Sequence, residues 1–221
     1  MPLIERIDRL FARVRATPFF WRLTLFTRIL LATGFIPTGL VKLLGLRFTV
    51  IAPDDPIGAF FEAMYQTGLY WRFLGASQVA AGLLLLVPRW AHLGALLFLP
   101  IMVNIFVVTV ALSFTGTPVV TALMLLAVVY LCAWDYHRIR SILTERPWPA
   151  DLAVAQPKLD RWELAGFWAF GLSLVATFLA MRGFAPMGLV RGLIVAGVLA
   201  GLFTLVRFLV AGRKLRPEAG R

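Results

Sequence analysis

Arg28, Lys42, Arg72, Gln78 and Asn104 stand inside long apolar runs, and they are the residues whose types and positions point to chemistry. A charged group at the centre of a bilayer costs at least about 2.5 kcal/mol on insertion scales, so such groups turn toward a bundle interior or reach an interface. Two arginines, a lysine and two amides are hydrogen-bond donors. Gathered together, they would hold the polar head of an amphiphile. They do not make a nucleophile or a general base. The chain carries no HExxH, no phosphate-cradling glycine loop and no nucleophile–His–acid pattern. Its single cysteine, Cys132, excludes an internal disulfide and a CxxC pair. Two histidines, His92 and His137, are too few for most metal or haem sites. No metal site and no resident cofactor is expected.

Spacing supports a shared location. Arg28 and Lys42 are 14 residues apart, about 1400° of helix and roughly 40° short of four full turns, so they share a face. Thr24, Leu31, Phe35 and Thr38 fall on or near that stripe. Gln78 and Asn104 lie at similar depth in the next two apolar runs. Thr38, Lys42, Arg72, Gln78 and Asn104 are therefore expected around one cavity in the outer half of the membrane, with Asp54, Asp55 and Glu62 at its mouth. Each residue also has a plainer reading. Arg28 and Lys42 can snorkel to headgroups, and Gln78 and Asn104 can join helices by a hydrogen bond. Pro37 and Pro100 each remove a backbone donor within a span, which bends a helix beside a cavity or simply kinks it for packing.

The elements that position these groups are membrane helices. Of 221 residues 60% are hydrophobic and 15% are charged, against about 45–50% and 25% in a soluble domain. Six segments are apolar over about the length a span needs: 22–44, 69–88, 91–112, 118–134, 162–181 and 187–210. Trp21, Trp71, Trp90, Trp134 and Trp162 fall near their ends, where aromatic belts form. The net charge of +11 does not indicate nucleic acid, because the basic residues form short clusters between apolar runs. Arginines and lysines concentrate before the first span, after the second, after the fourth and in the tail, so the positive-inside rule places both termini in the cytoplasm. The expected organisation is a basic amphipathic surface helix (1–21), a four-helix core (22–143), a cytoplasmic linker with three prolines (144–161), a transmembrane pair (162–210) and a basic tail (211–221). A second amphipathic piece, 56–68, is expected on the outer surface.

Small residues mark packing seams. Gly68, Gly75 and Gly82 recur every seven residues. In the last segment Gly188, Gly192, Ala196 and Ala200 form one ladder and Gly197 with Gly201 another, for contacts within the chain or with a second copy.

The stretches RILLATGFIPTGLVKLLG (28–45), TGLYWRFLGASQVAAGLLLLVPRWAHLGALLFLPIMVNIFVVTV (67–110) and FTGTPVVTALMLLAVVYLCAWDYHRI (114–139) resemble the DoxX and DoxX-like family of bacterial membrane proteins. Arg28 with Gly39 and Lys42, Gly75 with Gly82, Pro88-Arg89, Asn104, Gly116-Thr117-Pro118 and Asp135 with Arg138 carry the likeness. The resemblance implies a four-helix bundle over residues 22–140. It implies redox-linked roles in some members, as the membrane subunit of a thiosulfate:quinone oxidoreductase or a partner in thiol-oxidative stress complexes. Broader relatives handle cargo or sterols. Many members carry a glutamate about where Gln78 stands, and the segments at 162–210 fall outside the family pattern.

The combined expectation is an all-α polytopic bundle, a DoxX-like core plus a C-terminal helix pair, in the bacterial inner membrane. It would hold a quinone or lipid-like molecule and serve as the accessory of an oxidoreductase rather than as an enzyme alone. A small-solute transporter and a structural or assembly factor are the alternatives.

Overall fold

The computed structural model describes residues 3–145, 147–153, 160–180 and 186–214. Among the described residues there is no strand. The described residues form nine α-helices in order: α1 (Leu3–Ala16), α2 (Pro18–Leu43), α3 (Pro56–Gln66), α4 (Leu69–Leu86), α5 (Ala91–Ala111), α6 (Thr117–Trp134), α7 (Tyr136–Thr144), α8 (Arg161–Leu179) and α9 (Met187–Lys214), with a 3-10 turn at Ala150–Leu152. Among these residues α2, α4, α5 and α6 are long and apolar enough to cross a membrane. The protein is a polytopic helical membrane bundle. Of the expected linker, residue 146 and residues 154–159, with Arg146, Pro157 and Lys158 among them, lie outside the described residues, as do Arg182 and the tail from 215 onward.

Local chemistry sets the boundaries. The first long helix starts at Pro18 rather than at 22, because proline suits a first turn whose N–H groups have no partner anyway. It ends in a Schellman motif: Gly45, at φ +70, donates to Lys42 O and Leu46 donates to Val41 O. Asp55 caps α3, its side chain accepting from Ile57 N at 2.7 Å. Gly68, at φ +58, is the N-cap of α4. It serves the turn and not the seven-residue seam, since a Cβ there would meet nothing within 4 Å. Gly116, at φ +75, and Pro118 start α6.

The chain divides into two compact units, residues 30–138 and residues 1–29 with 139–221. In the 30–138 unit, Leu31 and Phe35 of α2 pack with Ala81 and Leu85 of α4, Ala95, Phe98 and Met102 of α5, and Val128 and Leu131 of α6. Phe35 and Phe98 meet edge to face at 4.7 Å. Glycines set the spacing of α2 and α4: a Cβ on Gly75 would lie 2.4 Å from Leu43 N and 2.5 Å from Gly39 O. At the other end of these helices Arg138 donates to Arg89 O at 2.7 Å and stands 3.2 Å from His92 Nδ1.

The other unit is stitched by ion pairs. Arg22 forks onto Glu163 at 2.6 and 3.1 Å. Glu163 also closes a capping box with Asp160 at the start of α8. Asp8 of α1, 1% exposed, pairs with Arg140, 4% exposed, at 2.8 Å. Arg207 of α9 pairs with Asp160. The basic residues at 22, 140 and 207 are thus engaged with acids. Helices α8 and α9 meet closely: a Cβ on Gly166 would lie 2.2 Å from Thr204 Oγ1, and one on Gly197 2.5 Å from Ser173 Oγ. Gly201 faces Phe170 at a looser 3.6 Å, while Gly188 and Gly192 have open space beside them.

Candidate functional site

The 30–138 unit encloses a cavity of about 580 Å³ lined by α2 to α6 and the chain between α2 and α3. Its wall is mainly apolar. Lys42, Gln78, Asn104, Thr38 and Ser77 are among the exceptions.

Lys42 does not snorkel. It is 5% exposed. Its Nζ donates to Thr38 O at 3.2 Å, one turn back on its own helix, and to Gln78 Oε1 at 3.1 Å on α4. The Schellman turn after α2 reverses the chain and brings Phe48 back, so that Nζ lies 4.1 Å from that ring's centroid. The Trp71 ring lies 5.6 Å from Nζ. Trp71, 1% exposed, donates Nε1 to Leu46 O at 2.9 Å, which holds the returning chain against α4. Two carbonyl oxygens and two aromatic faces therefore surround the ammonium, the usual partners of a desolvated cation.

This contact fixes Gln78. An ammonium only donates, so the amide presents its oxygen to Lys42 and keeps the two N–H donors of Nε2 for the cavity. Thr38 spends its hydroxyl proton on Gly34 O at 3.0 Å and Phe35 O at 3.1 Å. Next to the α5–α6 turn, the hydroxyls of Thr109 and Thr121 meet at 2.8 Å on the cavity wall. Asn104 lines the cavity from α5 and is exposed.

Helix α3 roofs this space. Phe60, Phe61 and Met64 face the cavity, as does Phe114 from the α5–α6 turn. Phe61 packs against Phe48 at 5.5 Å and Phe114 at 6.2 Å. A latch holds the roof: Arg47 forks onto Glu62 at 2.8 and 2.9 Å, and Gln66 donates to Glu62 at 2.7 Å. These bonds, Arg47's first, hold the Glu62 carboxyl down to about 2, while Glu62 raises the Arg47 guanidinium. Arg47 also stacks over Tyr65 at 4.5 Å.

The structure thus brings Thr38, Lys42, Gln78 and Asn104 to one cavity. Arg28 belongs to the 1–29 unit, is half-buried, and does not line it. Arg72 is exposed, with its guanidinium beside the Gly45 backbone. Glu62 lines a smaller cleft of about 210 Å³ with Arg47, Asp55 is a helix cap, and Asp54 is exposed. Of the expected belt, Trp90 and Trp162 are exposed, but Trp71 and Trp134 turn inward.

The aromatic roof and the threonine pair escape a reading based on charge. The apolar stripe of 56–68 suggested an outer surface, although the same stripe serves a cavity. Thr109 and Thr121 sit in long apolar runs, and that placement was the available signal.

The model of the DoxX family matches residues 23–111, a span that includes Lys42, Gln78, Asn104 and α3. The uncharacterized protein YwoB of Bacillus subtilis (strain 168) is 30% identical over 130 residues, 54% of this chain and 81% of that protein. No solved structure matches the chain significantly. Helix order, the glycine contact between α2 and α4 and these matches agree: the chain belongs to the DoxX family.

Proposed function

We propose that the protein binds an amphiphile, a quinone or lipid-like molecule, in the cavity of the 30–138 unit. Its polar head would lie at Lys42 and Gln78 and its apolar part among Phe73, Leu97, Ile101 and Met124. The observation that carries the reading is a buried, hydrogen-bonded Lys42–Gln78 pair on the wall of an otherwise apolar cavity. Pockets for such ligands are mostly apolar, with few placed polar groups, and occupy about 300–1,000 Å³. Tyr70, Phe73 and Leu97 both line the cavity and are exposed on helices suited to span a membrane. This favours exchange with the bilayer over exchange with water.

The inner membrane is the proposed location, with both termini cytoplasmic, and reporter fusions at each end test that orientation. An accessory role beside an oxidoreductase is carried as part of the proposal. It rests on the family likeness alone and is tested by whether such an enzyme co-purifies.

The binding test is extraction and mass spectrometry of protein purified into nanodiscs. One species retained at near-stoichiometric amount, and lost in Ile101→Trp, supports the reading. An empty cavity with Ile101→Trp indistinguishable from wild type favours a structural factor. Uptake of a solute driven by a proton gradient favours a transporter.

A further inference from the structure

Resting on that reading, we infer that the ligand's head gives a hydrogen bond as well as accepting one, so that its class is a hydroxyl-bearing amphiphile: an acylglycerol or, on the quinone side of the reading, the reduced quinol. Two buried polar loci on the cavity wall carry this, and they are opposite in kind.

The first is Gln78 on α4, 3% exposed. Its Oε1 accepts from Lys42 Nζ at 3.1 Å, so what it has left for the cavity is N–H, a donor. The second is the pair of Thr109 on α5 and Thr121 on α6, both buried. Their hydroxyl oxygens are 2.8 Å apart. Two hydroxyls bring two protons, and one of these lies between the oxygens. The hydroxyl that accepts it gives its own proton to a helix carbonyl, Thr109 to Phe106 O at 2.8 Å, or Thr121 to Thr117 O or Pro118 O at 3.2 Å. Either arrangement spends both protons and leaves the pair with lone pairs alone. Two more hydroxyls of the wall follow the same pattern: Ser77 donates to Phe73 O at 2.9 Å and Thr38 to Gly34 O at 3.0 Å. Asn104 can both give and accept, and selects neither.

The wall therefore asks two things of one head. A hydrocarbon would leave both loci without partners, which burial makes costly. A head made of acceptors alone, such as an ester or an oxidised quinone, would answer Gln78 and set oxygen against oxygen at the threonines. A head with a hydroxyl answers both.

The test places the full chain in phosphatidylcholine nanodiscs holding equimolar probe pairs, read by native mass spectrometry as the ratio of bound adducts. One pair is 1-monoolein and propyl oleate, which share the ester and the chain and differ in the two hydroxyls. The other is a decyl-substituted benzoquinone and its quinol, kept anaerobic. The hydroxyl-bearing member of at least one pair is expected to be enriched about 2–10-fold, the range of one net hydrogen bond. Enrichment in the first pair alone identifies a glyceride-type head, and enrichment in the second alone a quinol. Thr109→Val with Thr121→Val should bring the ratio to about one. Replacing both members of a hydrogen-bonded pair by apolar groups of the same shape is nearly neutral for folding. Ratios near one in both pairs on the wild type overturn the inference and leave the amphiphile reading standing, and these ratios stand however the variant folds. An enrichment that persists in the double valine variant also overturns it, since the hydroxyl would then be read elsewhere. No adduct from either pair, with an empty cavity by extraction, removes the amphiphile reading as well.

Discussion

Lys42 of α2 and Gln78 of α4 share a hydrogen bond of 3.1 Å while both are buried, so each determines what the other can tolerate. Gln78→Leu strips an acceptor from a buried ammonium, which should cost about 1.5–3 kcal/mol. Lys42→Met leaves an amide oxygen short of a donor but removes a buried charge, and should cost less. The double replacement should cost less than the sum of the two, because a buried polar pair replaced by apolar side chains is often near neutral. A double-mutant cycle read by unfolding in mixed micelles checks this. Strict additivity would mean that the contact contributes nothing.

Helix spacing gives a second prediction. Gly75→Ala places a methyl group 2.5 Å from Gly39 O and 2.4 Å from Leu43 N, backbone atoms that cannot step aside. Overpacking of that kind costs about 1–3 kcal/mol. Gly192→Ala meets nothing within 4 Å, and it should stay within about 0.5 kcal/mol of wild type or gain from helix propensity. Thermal unfolding of the two variants side by side tests the contrast, and a reversed order contradicts it.

The buried pair of Asp8 and Arg140 gives a third. Arg140→Met leaves the Asp8 carboxylate, 1% exposed, without its guanidinium, a change worth about 3–5 kcal/mol. Asp8→Leu added to Arg140→Met should recover part of that loss. It cannot recover all, since Arg140 also donates to Pro147 O at 2.6 Å. Chemical unfolding measures both, and a single variant with wild-type stability would refute the assignment.

The latch on α3 responds to pH in a defined direction. Glu62 titrates near 2, below the ordinary 4.5. A depressed carboxylate lends stability above its unfolded value and loses it as pH falls through the folded one. The latch therefore holds across neutral and mildly acidic pH and opens only as pH approaches 2. Arg47→Met should raise the Glu62 midpoint toward 4.5, with Gln66 holding it slightly below. Carboxyl carbon chemical shifts across a pH titration report the midpoint directly. A midpoint unmoved by the substitution would show that Arg47 is not the cause.

Much of this was legible in the chain because burying charge in hydrocarbon restricts the answers so strongly. The similar depth of Gln78 and Asn104 follows from helix rise and span ends alone. Arg28 and Arg72 show the limit of that argument. Periodicity places a residue on a face of its own helix, but which neighbour that face meets depends on packing between helices. Arg28 shares Lys42's face yet belongs to another compact unit. Trp71 has the spacing of an interface anchor, yet its ring turns inward because Leu46 O and Lys42 lie there. Asp8 with Arg140 are 132 residues apart, and Arg22 with Glu163 are 141 apart. No local pattern announces pairs at that separation.

The most direct test of the central claim is photolabelling with a single-chain amphiphile that carries a diazirine along its hydrocarbon chain, in nanodiscs, followed by peptide mapping. The account predicts adducts concentrated on cavity residues such as Phe73, Ile101 and Met124, reduced by an excess of the same amphiphile without the diazirine and by Ile101→Trp. Adducts spread evenly over exposed positions of α6 such as Val119, Leu123 and Leu126, unaffected by the competitor, would contradict it.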